Sequence, residues 1–342
     1  MSETTDILES LEAQPLVGRH RAAVRKGLAQ AAAAVARSRD RGDTARLLGL
    51  GARLARADGA RDAVQRLNAA RRAASEAGDL VLEDRLALLT VRSLAKSRSH
   101  HLAADLLADI LPRAQRTPSL TPELELARAA VGIGEPRVHL EAALSALPSP
   151  SADHDRMEAA LDLAELLLSG AAPAAAQQWF GHARALAIRH DAPVALGVAS
   201  GSLAVLALEQ GDADTAAAML DEALSAADAM DDDLGRVAHG TVRAALHLAE
   251  GDIDSAARLA RRTEGAARRR SNWIGVADAV ITQTLAEPLD LAVQHLLASA
   301  RTLQDEGAQA AANLLKARIG ELRTAHTEHR FEAALAAGAR LV

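Results

Sequence analysis

The chain has 342 residues, 49% of them hydrophobic, yet only Trp179, Phe180, Trp273 and Phe331 are aromatic. A core of Ala, Leu and Val suits close helix packing and excludes a β-sandwich, whose strands favour aromatic and β-branched residues. No cysteine is present, which excludes disulfides, thiol catalysis and cysteine-ligated metals, and the formal net charge of −6 offers no general attraction to nucleic acid.

Met1 to Glu12 is acidic and polar, with no apolar core that would make it a signal peptide. No window reaches about 18 uninterrupted apolar residues, so no membrane span is expected and a cytoplasmic location follows. Met1 to Pro15 is expected to fray, and His20 to Arg41 reads as a basic helix, together forming a tail and cap over residues 1–43. Leu16-Val17-Gly18-Arg19 is followed by no phosphate loop, and neither Gly49-Leu50-Gly51 nor Val131-Gly132-Ile133-Gly134 has the glycine or Gly-Lys-Ser context of one.

From residue 44 onward the pattern repeats. Gly51, Asp58-Gly59, Ala63, Leu67 and Ala70 form the first copy, and a degenerate one centres on Ala103, where His100-His101 is expected to occupy the turn. Another degenerate copy lies near Gly134-Glu135-Pro136 and His139. Leu147-Pro148-Ser149-Pro150-Ser151 cannot continue a helix, and it separates a block at 44–147 from one at 152–306. The second block opens with Ala164, Gly170-Ala171, Ala176, Phe180 and Ala183.

The clearest signal is Gly211-Asp212-Ala213-Asp214-Thr215-Ala216-Ala217, which returns 40 residues later as Gly251-Asp252-Ile253-Asp254-Ser255-Ala256-Ala257. Gly-Asp makes a turn and the Asp caps the helix that follows. A last copy centres on Pro288 and Ala292. The second-helix anchors Ala63, Ala103, His139, Ala176, Ala216, Ala256 and Ala292 lie 36 to 40 residues apart, so seven repeats are expected over roughly 44–306. Ala308 to Thr324 and Arg330 to Leu341 read as capping helices within 307–342, since a terminal repeat must turn a polar face to water.

Small residues at Ala204, Ala216 and Ala223, beside Leu203, Leu220 and Leu224, resemble the pattern of the tetratricopeptide repeat (TPR). The bulky aromatic of that family's first helix is missing almost everywhere, and the longer period looks like the TPR variants of bacterial regulators. The resemblance implies an all-α, right-handed superhelical solenoid of antiparallel helix pairs, whose first helices present a concave wall. Carried across, that wall holds Val198, Val205, Leu208, Thr241, Ala245, Leu248, Ile274 and Ile281, an apolar strip suited to an amphipathic helix or extended peptide. Nearer the N-terminus the same positions hold Arg85, Arg92 and Lys96, a basic wall suited to an acidic segment or a C-terminal carboxylate.

No catalytic constellation, metal site or cofactor motif emerges. His326, Glu328, His329 and Glu332 share helix faces, but at a cap they read as a solvated polar face. Arg258, Arg261, Arg262, Arg268, Arg269 and Arg270 form the densest basic cluster, read as solvated or paired with acids of the neighbouring repeat rather than as a nucleic-acid stripe. Charge is uneven: residues 1–100 carry 18 basic and 12 acidic residues, whereas 151–250 carry 5 and 16. Three functions stay open: a non-catalytic adaptor or scaffold binding a protein or peptide segment, a peptide-sensing bacterial regulator acting through a protein partner, and a self-assembling homo-oligomer.

Overall fold

The computed structural model describes residues 3–14, 16, 20–58, 60–147, 152–285 and 287–327. Within them the chain is all-α, with no strand. Helices α1 (Glu3–Glu12) and α2 (His20–Ser38) precede seven helix pairs. These are α3 (Arg41–Ala57) with α4 (Ala63–Ala77), α5 (Leu80–Lys96) with α6 (His100–Ala114), and α7 (Thr121–Val131) with α8 (Pro136–Ala146). Then come α9 (Asp153–Ser169) with α10 (Pro173–His190), α11 (Pro193–Glu209) with α12 (Ala213–Ala229), α13 (Asp233–Ala249) with α14 (Ile253–Arg269), and α15 (Trp273–Thr284) with α16 (Leu289–Asp305). Helix α17 (Gln309–Thr327) follows, and a 3₁₀ turn at Pro118–Leu120 leads into α7. The seven pairs coincide with the seven repeats read from the sequence, a helical-repeat solenoid of TPR-like pairs.

One burial code recurs in five second helices. An anchor and the residues 4, 7 and 11 positions later are buried: Ala63, Leu67, Ala70 and Ala74 in α4, and Ala103, Leu107, Ile110 and Ala114 in α6. The same spacing gives Ala176, Phe180, Ala183 and Ala187 in α10, Ala216, Leu220, Ala223 and Ala227 in α12, and Ala256, Ala260, Thr263 and Ala267 in α14. This 4-3-4 spacing follows one stripe of a helix with 3.6 residues per turn. Alanine holds the first and last places in all five helices and lets the paired helices approach closely, while the second place is Leu or Phe in four of them and Ala in α14.

The turns share one device, a left-handed residue followed by the next helix's N-cap. Gly211 and Gly251 have φ of 76° and 79°, and the carboxylates of Asp212 and Asp252 accept from the Thr215 and Ser255 amides at 3.0 and 3.1 Å. Between pairs the same geometry appears without glycine: Asp231 and Ser271 have φ of 53° and 51°, before the caps Asp232 and Asn272. Arg98 at φ 61° serves α6. His100 and His101 are therefore not in the turn but are the first residues of α6, capped by Ser99.

The chain separates into two compact units, Met1–Ala195 and Leu196–Val342, dividing within α11; residues 148–151 of the proline-serine segment lie outside the described residues. In unit 1 the helices stack through successive cores, Leu8, Leu11 and Val24 with Leu50, then Leu67 and Ala70 with Leu86, then Leu107 with Leu120 and Leu124. The expectation that Met1 to Pro15 frays fails over α1, because Leu8 and Leu11 are buried against α2 and α3. In unit 2 one core joins Ala204 and Leu220 with Leu246, and a second joins α15, α16 and α17. Gly201 faces the His239 ring on α13, at a separation that leaves no space for a Cβ.

Candidate functional site

In unit 1 the inward faces of α3, α5 and α9 carry a dense charge cluster. Arg92 is only 4% exposed and donates to Asp155 at 2.6 Å and to Glu158 at 3.0 Å. Lys96 donates to the other Glu158 oxygen at 2.6 Å, and Arg56 of α3 also donates to Glu158. Arg85 donates to Glu123 of α7 at 3.0 Å. Burial opposes the charge of Asp155, but the Arg92 and Arg56 guanidiniums overcome it and hold that carboxyl down at about 2. Glu158 is held well below its ordinary value by the same balance, with Arg56 foremost among the cations. Burial, reinforced by Arg56, pushes the His154 imidazole down to about 4, so it stays neutral. Burial also raises Asp162.

Arg85, Arg92 and Lys96 therefore share the expected face but do not form a free basic wall. Asp155 and Glu158, more than 60 residues along the chain, already neutralise Arg92 and Lys96. Arg92 is out of reach of any incoming acid.

Next to this cluster, with Asp155 in common, lies a cavity of about 400 Å³, bounded by α1, α3, α5, the start of α7 and the start of α9. Val81, Leu82 and Pro122 give it apolar walls, and Arg46, Arg53 and Arg85 give it cations. Arg46 is committed to Glu12 through two hydrogen bonds of 3.0 and 2.6 Å. Arg53, which sequence reasoning did not single out, forms neither a hydrogen bond nor an ion pair with any described residue.

In unit 2 the expected strip is only partly a surface. Val198 and Val205, one face of α11 seven residues apart, are 41% and 46% exposed, and Ile274 is 49% exposed. Leu234, also exposed, was not foreseen and stands 40 residues before Ile274 at the same place in its helix. Leu208, Thr241, Ala245 and Leu248 are half-buried, and the Thr241 hydroxyl is spent on the Val237 carbonyl at 3.0 Å. Ile281 is 4% exposed and belongs to the core, because α16 and α17 pack over α15 and cover that face. The strip thus runs along α11 and α13 and ends at the first turn of α15.

Arginines of the α14 cluster pair with nearby acids: Arg262 with Asp228 at 2.9 Å, Arg269 with Asp233 at 2.6 Å, and Arg268 with Glu264 at 3.0 Å. Among the described residues, no group of three or more His, Asp or Glu is placed to hold a metal ion. The side chains of His326, Glu328, His329 and Glu332 lie outside the described residues, as does the expected helix at Arg330 to Leu341. No described helix is long and apolar enough to cross a membrane.

No family model matches the chain. No curated protein matches it in sequence. Among solved structures it is similar to one described as the crystal structure of Rap protein complexed with competence and sporulation factor. The two are 11% identical, with a TM-score of 0.52 over 96% of this chain and 99% of that one. The likeness is one of fold and extends along nearly the whole of both chains.

Proposed function

We propose that this chain is a non-catalytic protein-interaction module, an adaptor or scaffold that takes a peptide or helix of a partner protein along α11 and α13. The observation that carries this reading is the exposure of Val198 and Val205 on one helix face, beside the half-buried Leu208. Two exposed valines two turns apart on one face of α11 offer an apolar surface against which the apolar face of a partner helix or peptide can pack. The fold supports it, since stacked helix pairs offer extended surfaces. The neighbouring Rap structure, which holds competence and sporulation factor, is a complex of this fold. That complex also favours a second form of the reading, a regulator whose affinity for its protein partner changes when a small factor binds.

The test is capture by photo-crosslinking from position 205, set against the variant Val198→Asp/Val205→Asp. Both sites are surface positions, so the variant keeps its stability to within about 0.5 kcal/mol. A partner that crosslinks to the wild type and is lost from the folded variant supports the reading. A partner retained by the variant removes the strip as the site.

A further inference from the structure

We infer that the cavity of unit 1 is a binding site for an aliphatic carboxylate, anchored by the guanidinium of Arg53. The inference concerns the other unit from the apolar strip and stands or falls without it.

Among the described residues that line the cavity, every charged side chain but one has a partner. Arg46 is held by Glu12 in a two-point pair, and Arg85 by Glu123. Asp155 faces Arg92 and Arg56 at 2.6 and 3.6 Å. The Asp79 carboxylate accepts from the Leu82 amide at 2.9 Å and caps α5. Once these are assigned no lining carboxylate is left over, and one lining cation is. Arg53 is half-buried and makes no ion pair or side-chain hydrogen bond with any described residue.

A guanidinium taken partly out of water without a partner is destabilising, and no described residue offsets it. The same group presents a planar fork of donors whose best complement is a carboxylate bound through two parallel hydrogen bonds. Arg53 also lines a second, smaller void of about 10 Å³, together with Leu16, Leu89, His154 and the paired Arg56 and Asp155. Val81, Leu82 and Pro122 line the same cavity as Arg53 with carbon. A carboxylate bound at Arg53 places its attached hydrocarbon along those side chains. The volume, about 400 Å³, falls inside the range of roughly 300–1,000 Å³ typical of small-ligand sites. The carboxylate has three sources: a small organic acid, the C-terminus of a peptide, or an acidic side chain within one.

Calorimetry and ligand-observed NMR at millimolar concentration distinguish them. The probes are 4-methylpentanoate and 4-methylpentanamide, acetyl-Ala-Ala-Leu-Leu as free acid and as amide, and the amides of acetyl-Ala-Glu-Leu-Leu and acetyl-Ala-Gln-Leu-Leu. Each is tested on the full chain and on Arg53→Met, which keeps the length and the carbon stem of the side chain. At least one carboxylate probe binds the wild type, its amide or Gln counterpart does not, and Arg53→Met weakens binding at least about tenfold. Which probe binds names the source. The melting temperature of Arg53→Met stays equal to the wild type or rises, because the variant removes an unpaired cation. The inference is overturned if no carboxylate binds, if Arg53→Met binds as well as the wild type, or if the uncharged probes bind equally. It is equally overturned if Arg53→Met melts well below the wild type, which would make Arg53 a structural residue.

Discussion

Replacing Glu158 by Gln tests whether the charge cluster of unit 1 holds α3, α5 and α9 together. Glu158 accepts from Arg92 at 3.0 Å and Lys96 at 2.6 Å, and from Arg56. The substitution keeps the shape and one carbonyl acceptor but removes the charge, leaving Asp155 alone between two largely buried guanidiniums. Removing one member of a buried ion pair costs about 3–5 kcal/mol, because the partner's charge is left uncompensated. Lys96 is half-exposed and adds no more than about 1 kcal/mol. The retained acceptor favours the lower end, so the expected loss is about 3 kcal/mol, a large share of a domain's stability of about 5–15 kcal/mol. Trp179 lies in unit 1 and Trp273 in unit 2, so in a Trp273→Phe background the remaining indole reports unit 1 through urea unfolding. The double variant Arg92→Met/Glu158→Gln removes one charge of each sign, and it should lose less than the sum of the two single changes by about 2 kcal/mol. A loss under about 1 kcal/mol for Glu158→Gln, with additive behaviour in the double variant, would mean that the cluster is a solvated surface network, and the reasoning fails.

The pH dependence of unit 1 follows from His154. Its imidazole is pushed by burial down to about 4 in the folded chain, against about 6.5 when free, so below 6.5 the unfolded state takes up a proton that the folded state refuses. Stability is therefore full above pH 6.5 and falls by something on the order of 3 kcal/mol toward pH 4, and His154→Gln should flatten that part of the urea-midpoint profile. Asp155 and Glu158, held low by their arginines, add a further loss only at more acidic pH, whereas Asp162, raised by burial, works in the opposite direction. Two glycine-to-alanine changes should move in opposite senses. At Gly201 a Cβ meets the His239 ring, and overpacking of this kind costs about 1–3 kcal/mol. At Gly181, inside α10, nothing lies within 4 Å of the added atom, and the gain in helix propensity is about 0.5–1 kcal/mol, both read from urea midpoints.

What could be read from the sequence was what repeats. The 4-3-4 code of the second helices was legible because Ala63, Ala176, Ala216 and Ala256 recur at a near-constant period, and periodicity needs no knowledge of the third dimension. The Gly-Asp turns were legible for the same reason, but only where glycine supplied the left-handed residue. Arg98, Asp231 and Ser271 hold that conformation too, and nothing local announces it. Burial was legible only where the neighbouring elements were themselves repeats. Ile281 sits in register with Thr241, yet α17 covers it, and α17 belongs to no pair. The N-terminal segment reads as polar, yet Leu8 and Leu11 pack α1 into the core that holds Val24 and Leu50.

Charge is the least legible property, because whether a cation is free depends on everything that faces it. Arg85, Arg92 and Lys96 look available along the chain because their own stretch is basic. Their partners are on α7 and α9, and the pairing is set by how those helices stack. Arg53 looks no different from Arg46 or Arg56 in sequence, three arginines on one helix within eleven residues. Arg46 meets Glu12 and Arg56 meets Glu158, while Arg53 meets a cavity. An unpaired cation is a residue of subtraction: it becomes visible only when every carboxylate around it has been given to someone else. A surplus of lysine and arginine on a repeat array is therefore weak evidence for an acidic partner. A single half-buried guanidinium left over beside a cavity is stronger evidence, because stability alone would favour a neutral side chain in its place.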